Sequence, residues 1–237
     1  MLTRRILKAV LLASLLCSAN SLWAQGSEID EDKLGAWYMY FGSTEFADGP
    51  FGFQGDAQFR NWNALGDLEQ LLLRGGLSVA PESFNVKFTL GYAYILSGEF
   101  GDGSDTSNES RIYQEALLPH VLGDRTYLNH RFRFEQRWVE NQDFRTRFRY
   151  SLFMNVALNR KRLVKGTFYY AFYNEIFING QRGIGEGREV ELFDRNRFYN
   201  AIGYCLTDEL RFQFGYMYQV TDNWNRGQLQ FSLHHSF

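Results

Sequence analysis

The sequence predicts an all-β fold: an antiparallel, up-and-down transmembrane β-barrel of about twelve strands, with ten as the alternative. Three observations carry that expectation. Long stretches alternate with period two between an aromatic-rich apolar face and a charged one. The chain opens on an export signal and closes on an alternating strand that ends in phenylalanine. No segment after residue 24 is apolar enough for a membrane helix, which needs about 20 such residues.

The alternation can be followed stretch by stretch. In 51–60, Phe51, Phe53, Ala57 and Phe59 share one face, and Gln54, Asp56, Gln58 and Arg60 the other. In 84–94, Val86, Phe88, Leu90, Tyr92 and Tyr94 oppose Lys87, Thr89, Gly91 and Ala93. In 127–137, Leu128, Phe132 and Phe134 oppose Asn129, Arg131, Arg133, Glu135 and Arg137. In 145–156, Phe148, Tyr150, Leu152, Met154 and Val156 oppose Arg145, Arg147, Arg149, Ser151 and Asn155. In 165–175, Phe168, Tyr170 and Phe172 oppose Lys165, Thr167, Tyr169 and Glu175. In 210–219, Leu210, Phe212, Phe214, Tyr216 and Tyr218 oppose Arg211, Gln213 and Gln219. These runs suit a tilted strand crossing a bilayer, which takes about 9–11 residues; globular strands average about 5–6. A soluble barrel also alternates, so length and repetition carry the argument.

Eleven stretches qualify: 34–42, 51–62, 68–80, 84–96, 110–121, 125–139, 143–158, 163–178, 194–206, 209–220 and 227–237. Bacterial single-chain barrels have an even number of strands. A twelfth is therefore expected near 43–50 or 186–193, or one stretch does not span. Short turns at 81–83, 123–124, 159–161 and 207–208 fall on one side, and long polar segments at 97–110 and 179–193 on the other. That is the asymmetry of outer-membrane barrels. The long segments hold Glu99, Asp102, Asp105, Glu109, Glu186, Glu189 and Glu191. Solvation explains them; bridging by divalent cations to lipopolysaccharide is the sharper alternative.

The first residues form a basic start (Arg4, Arg5, Lys8), an apolar run and a small residue at a cut site after Ala24. The expected organisation is a cleaved signal peptide at 1–24, a short periplasmic segment at 25–33 and a barrel at 34–237. Cys17 follows Leu16 rather than a small residue, which argues against a lipoprotein. The chain carries 25 basic and 27 acidic side chains, and loss of the leader leaves 22 against 27, a charge of −5. Nucleic-acid binders are basic, so that class is excluded. One cysteine remains, Cys205, so no intrachain disulfide forms. At the other end, Leu229, Phe231, Leu233, His235 and Phe237 alternate to the terminus. This resembles the strand read by outer-membrane assembly machinery, with Phe237 as the signal and His235 as the departure.

Little here suggests chemistry. The four histidines are His120, His130, His234 and His235. A lipid-cutting enzyme needs a nucleophile beside a histidine. His235 and Ser236 point to opposite faces of a strand, and His130 has apolar-face parity without a serine two residues away. The Gly-rich stretch at 183–187 follows no strand–helix pattern and reads as a flexible loop tip. No metal-ligand spacing and no cofactor motif occur, so no catalytic, cofactor or metal residue is expected. The informative set is the polar face: Arg60, Arg74, Arg111, Arg131, Arg133, Arg137, Arg145, Arg147, Arg149, Arg197 and Arg211, with Asp56, Glu115, Glu135 and Glu175 as counter-charges. Side chains fill small barrels, and wide channels belong to about 16 or more strands. A salt-bridged lumen is the plainer expectation. A narrow anion-preferring pore is the functional one, since arginine rings select anions.

Several segments resemble a known family: LGAWYMYFG at 34–42, QFRNWN at 58–63, GDLEQLLLR at 66–74, HRFRFEQR at 130–137, RTRFRY at 145–150, NEIFIN at 174–179, FDRNR at 193–197 and GYM at 215–217. They are similar to the bacterial domain of unknown function 2490. The resemblance covers nearly the whole mature chain, implies an outer-membrane-type barrel and carries over no activity. The expectation is a Gram-negative outer-membrane barrel, porin-like or structural, contacting outer-membrane lipid, lipopolysaccharide and the assembly machinery. A membrane-embedded acyl hydrolase and a soluble lipocalin-like carrier are the alternatives.

Overall fold

The computed structural model describes residues 29–46, 49–101 and 103–237. The leader at 1–24, the cut site and Asp102 lie outside the described residues. Eleven strands follow in order: β1 (Gly35–Glu45), β2 (Phe51–Asn63), β3 (Gly66–Val79), β4 (Lys87–Gly98), β5 (Thr106–Leu122), β6 (Thr126–Val139), β7 (Arg145–Ala157), β8 (Phe168–Asn179), β9 (Phe193–Cys205), β10 (Leu210–Val220) and β11 (Asn225–Ser236). Each pairs antiparallel with its sequence neighbours, and β1 and β11 close the barrel.

The count corrects the expectation of twelve, and of ten. The eleven stretches read from alternation correspond to the eleven strands. Residues 43–45 extend β1, and 186–192 belong to the β8–β9 connection, where only an isolated bridge, Gly183 to Glu189, forms. An even count follows only if the first and last strands meet antiparallel. Here they run parallel, in a register that keeps side-chain parity: Trp37 faces Gln230 inside, and Tyr38 faces Phe231 outside. Those outer rings stack at 5.3 Å.

Successive strands alternate in direction, so the rims differ. One rim carries the connections 46–50, 80–86, 123–125, 158–167 and 206–209, with the C-terminus; this is the C-terminal rim. The other carries 64–65, 99–105, 140–144, 180–192 and 221–224, with the start of β1. The tight turn at 123–125 needs a left-handed residue, which Gly123 supplies at φ +60°. The stretch 183–187 is not a bare loop tip: Ile184 is buried, and its carbonyl accepts from the Asp143 amide at 3.0 Å.

Polarity is inverted relative to a water-soluble barrel. Large apolar side chains stand on the outside, among them Phe53, Leu90, Phe132, Phe148, Ile202 and Phe214. The buried residues are dominated by Arg, Glu, Gln and Ser. Small apolar clusters interrupt that polar interior, one around Trp37, Tyr169, Tyr199 and Met217, the other around Leu72, Ile95 and Tyr113. Tyr113 fits because its neighbour is glycine: a Cβ on Gly91 would stand 2.3 Å from the phenol ring.

Candidate functional site

All fifteen charged residues singled out above face the lumen, and the cross-strand registers of β5 to β9 join most of them into one network. Glu135, buried at 1% exposure, accepts from Arg147 Nη2 at 2.7 Å and from Arg149 Nη1 at 2.6 Å. Glu175 accepts from Arg149 Nη2 and Arg131 Nη2, each at 2.6 Å, and from the Ser151 hydroxyl at 2.9 Å. Glu115 takes Arg133 Nε at 2.7 Å and Gln54 Nε2 at 3.0 Å. Asp56 holds Arg74 through two bonds of 2.8 and 3.1 Å. Such forked, charge-assisted bonds fix side chains as well as attract them.

The structure adds members that alternation alone did not supply. Glu109, expected in a solvated loop, lies in β5 and accepts from Arg111 Nε at 2.6 Å and Arg137 Nε at 2.5 Å. Inward parity with Arg111, two residues on, was the available signal. Asp194 binds Arg147 Nη1 at 2.7 Å and Arg195 Nη2 at 3.1 Å. Glu69 accepts from Trp37 Nε1 at 2.8 Å; the register shift at Arg60/Asn61 turns it inward, against the parity of Leu71 and Leu73. The other described loop acids stay outside: Glu189 and Glu191 pair with exposed Arg182, and Glu186 with Arg188. Among the described residues no three His, Cys, Asp or Glu side chains gather as metal ligands.

Arginines outnumber carboxylates inside, and aromatic faces take up part of the excess. Arg60 lies 3.9 Å and Arg197 4.8 Å from the Trp37 ring centroid. Arg149 and Arg197 lie 4.4 and 4.8 Å from that of Phe177. A cation over a ring gains about 0.5–2 kcal/mol, more where water is excluded. Arg60 bonds only to amides, Gln58 and Gln70, and Arg197 Nε to Gln219 at 2.7 Å. The side chains of Arg145 and Arg211 form no salt bridge or hydrogen bond with another described residue.

Among the described residues, two lumenal chambers stand out. One of about 310 Å³ is lined by Trp37, Phe41, Asn129, Tyr173, Arg211 and His234, among others. It shares Phe41, Arg131, Phe153 and Arg211 with an adjoining space of about 270 Å³ that reaches Ser43 and Ser236 at the C-terminal rim. The other, about 170 Å³, lies among Glu109, Arg111, Arg137 and Arg195 toward the opposite rim. Arg60, Arg74, Arg149 and Arg197 line both chambers and form the partition between them.

The histidines sit apart from any nucleophile–base–acid chain among the described residues. His130 Nδ1 meets the Tyr150 hydroxyl at 2.9 Å, and His235 Nδ1 the Tyr40 hydroxyl at 3.1 Å. Ser232 and His234 do pair, at 3.1 Å, but inside the lumen. Phe237 ends the chain on the outside, its amide bonded to the Ser43 carbonyl at 2.8 Å. In comparison with known proteins, the sequence profile described as "Protein of unknown function (DUF2490)" matches residues 34–230. No curated protein matches the chain.

Proposed function

The chain belongs to the domain of unknown function 2490 family, and we propose that it is an outer-membrane β-barrel whose lumen is closed to bulk diffusion by a salt-bridged arginine partition. The inverted polarity carries this reading. An apolar aromatic exterior is unfavourable in water, whereas buried arginines become tolerable where carboxylates and rings compensate them. The shortest strands have 11 residues. At about 3.4 Å per residue and about 40° tilt they rise about 28 Å, enough for an apolar band of about 25 Å. The leader-like N-terminus supports export, and terminal Phe237 supports recognition by the assembly machinery. Lipid and lipopolysaccharide are then the immediate surroundings.

A second reading, a narrow anion-preferring path, is favoured by one observation: the partition is made of four arginines, and Arg60 and Arg197 have no carboxylate partner. Single-channel recording of the refolded barrel under a salt gradient separates the two. Silence, with heat-modifiable migration showing a folded barrel, supports the closed lumen. Small openings with anion-biased reversal, reduced by Arg60→Gln with Arg197→Gln, support the narrow path. Large, unselective conductance refutes both. Acyl release from phospholipid that is abolished by His130→Ala or His235→Ala would favour the hydrolase instead.

A further inference from the structure

We infer that the larger lumenal chamber is a binding site for a small polyhydroxylated carboxylate, in chemical terms a sugar acid, entering from the C-terminal rim. The inference concerns the chamber alone and holds whether or not a path continues through the partition.

The charge comes first. Arg211 lines both parts of the chamber, and its side chain makes no ion pair or hydrogen bond with another described residue. Arg197, 6% exposed, spends one donor on Gln219 and has no carboxylate within bonding distance. A buried guanidinium with free donors is costly. A carboxylate in the chamber would satisfy it through a planar fork.

The remaining wall sets what the anion carries. Asn129, Asn155, Gln213 and Gln230 supply amides, and Tyr173 a hydroxyl that exchanges bonds with Gln230 at 2.9–3.2 Å. These groups donate and accept, which matches hydroxyls rather than a bare inorganic ion. The Tyr199 hydroxyl stands in the same wall beside Ser232. Phe41 and Phe153 add flat apolar faces of the kind that cover the C–H side of a ring. The space, about 310 Å³ with about 270 Å³ adjoining, compares with about 30 Å³ per liquid water. That accommodates one pyranose acid, with room for a second ring toward the rim.

Calorimetric titration of the refolded, detergent-solubilised mature chain with glucuronate, glucose, acetate and glucose 6-phosphate tests this. Glucuronate is expected to bind at least tenfold more tightly than glucose or acetate, because it alone combines charge and hydroxyls with a carboxylate. Arg211→Gln is expected to weaken glucuronate at least tenfold while leaving heat-modifiable migration unchanged, since Arg211 holds no structural partner. Arg197→Gln is the second variant, should the first fail to refold. The inference is overturned if glucuronate binds no better than acetate. It is also overturned if both folded variants bind like the parent, or if glucose 6-phosphate binds and glucuronate does not.

Discussion

Replacing Glu135 by glutamine keeps the shape of the side chain and removes the charge at the centre of the lumenal network. The carboxylate serves Arg147 and Arg149 directly, and Arg111 Nη1 lies 3.9 Å away. Breaking a buried ion pair costs about 3–5 kcal/mol because the partner charge stays behind. Arg147 keeps Asp194 and Arg149 keeps Glu175, so the lower end applies. About 3 kcal/mol is about a hundredfold in the unfolding constant. Denaturant titration of the barrel refolded in phospholipid vesicles, read by tryptophan fluorescence and by gel migration, measures it. Glu186→Gln is the control: its pairing with Arg188 is exposed, and such pairs contribute about 0–1 kcal/mol. If Glu135→Gln costs no more than Glu186→Gln, the lumen screens charge as bulk water does, and the network argument fails. In the double variant Glu135→Gln/Arg147→Gln the cost should fall below the sum of the singles, since each removes the other's unpaired charge.

Phe148→Arg places a cation on the outer face, where Phe148 is 54% exposed; in vesicles it should cost about 2–4 kcal/mol near the bilayer midplane. A soluble carrier would shift by no more than about 0.5 kcal/mol, so equal stability with and without lipid would refute the membrane reading. Gly91→Val brings a side chain into the Tyr113 ring and should cost about 1–3 kcal/mol by overpacking; the near-ultraviolet circular dichroism of Tyr113 reports it, and Tyr113→Ala should relieve it. In a Cys205→Ala background, Glu31→Cys should react with a membrane-impermeant maleimide on intact cells while Asp208→Cys should not. The reverse pattern would turn the barrel over.

Alternation made the lumenal arginines legible because a strand in this barrel keeps strict parity over its length. Arg131, Arg133 and Arg137, then Arg145, Arg147 and Arg149, needed no knowledge of their neighbours to be assigned inward. Glu69 was illegible for the converse reason: it is the extra residue of a bulge on β3, and no residue type in GDLEQ marks that shift. Glu109 was hidden by the polar, glycine-containing segment before it. Yet Ser107 and Asn108 pair with Ser97 and Leu96 of β4, so β5 begins inside what reads as loop. The chambers had no sequence signature, since each is what side chains from many strands fail to fill.

The odd strand count has a further consequence, because it separates the two ends of the chain. With eleven alternating strands, the start of β1 and the end of β11 lie at opposite rims. Short connections mark the periplasmic side in outer-membrane barrels; here the longest connection, 180–192, lies on the rim opposite Phe237, although that rim also carries the shortest, 64–65, and the Phe237 rim carries 158–167. A periplasmic segment before β1 and a periplasmic Phe237 are therefore incompatible in one barrel. The expectation for 25–33 is the weaker of the two, since it rests on sequence order alone, whereas a periplasmic Phe237 agrees with the long 180–192 connection on the opposite rim. In the proposed outer-membrane barrel that orientation would put Asp30, Glu31 and Asp32 at the outer rim, on the same rim as the acidic connections 99–105 and 180–192. The chamber proposed to take a carboxylate then opens on the opposite side, away from those acids. The C-terminal rim offsets its acids Glu82, Asp124, Asp208 and Glu209 with Arg125, Arg160, Lys161, Arg162 and Lys165, so an anion approaching from that side meets less repulsion before the arginine partition than one approaching from the acidic rim.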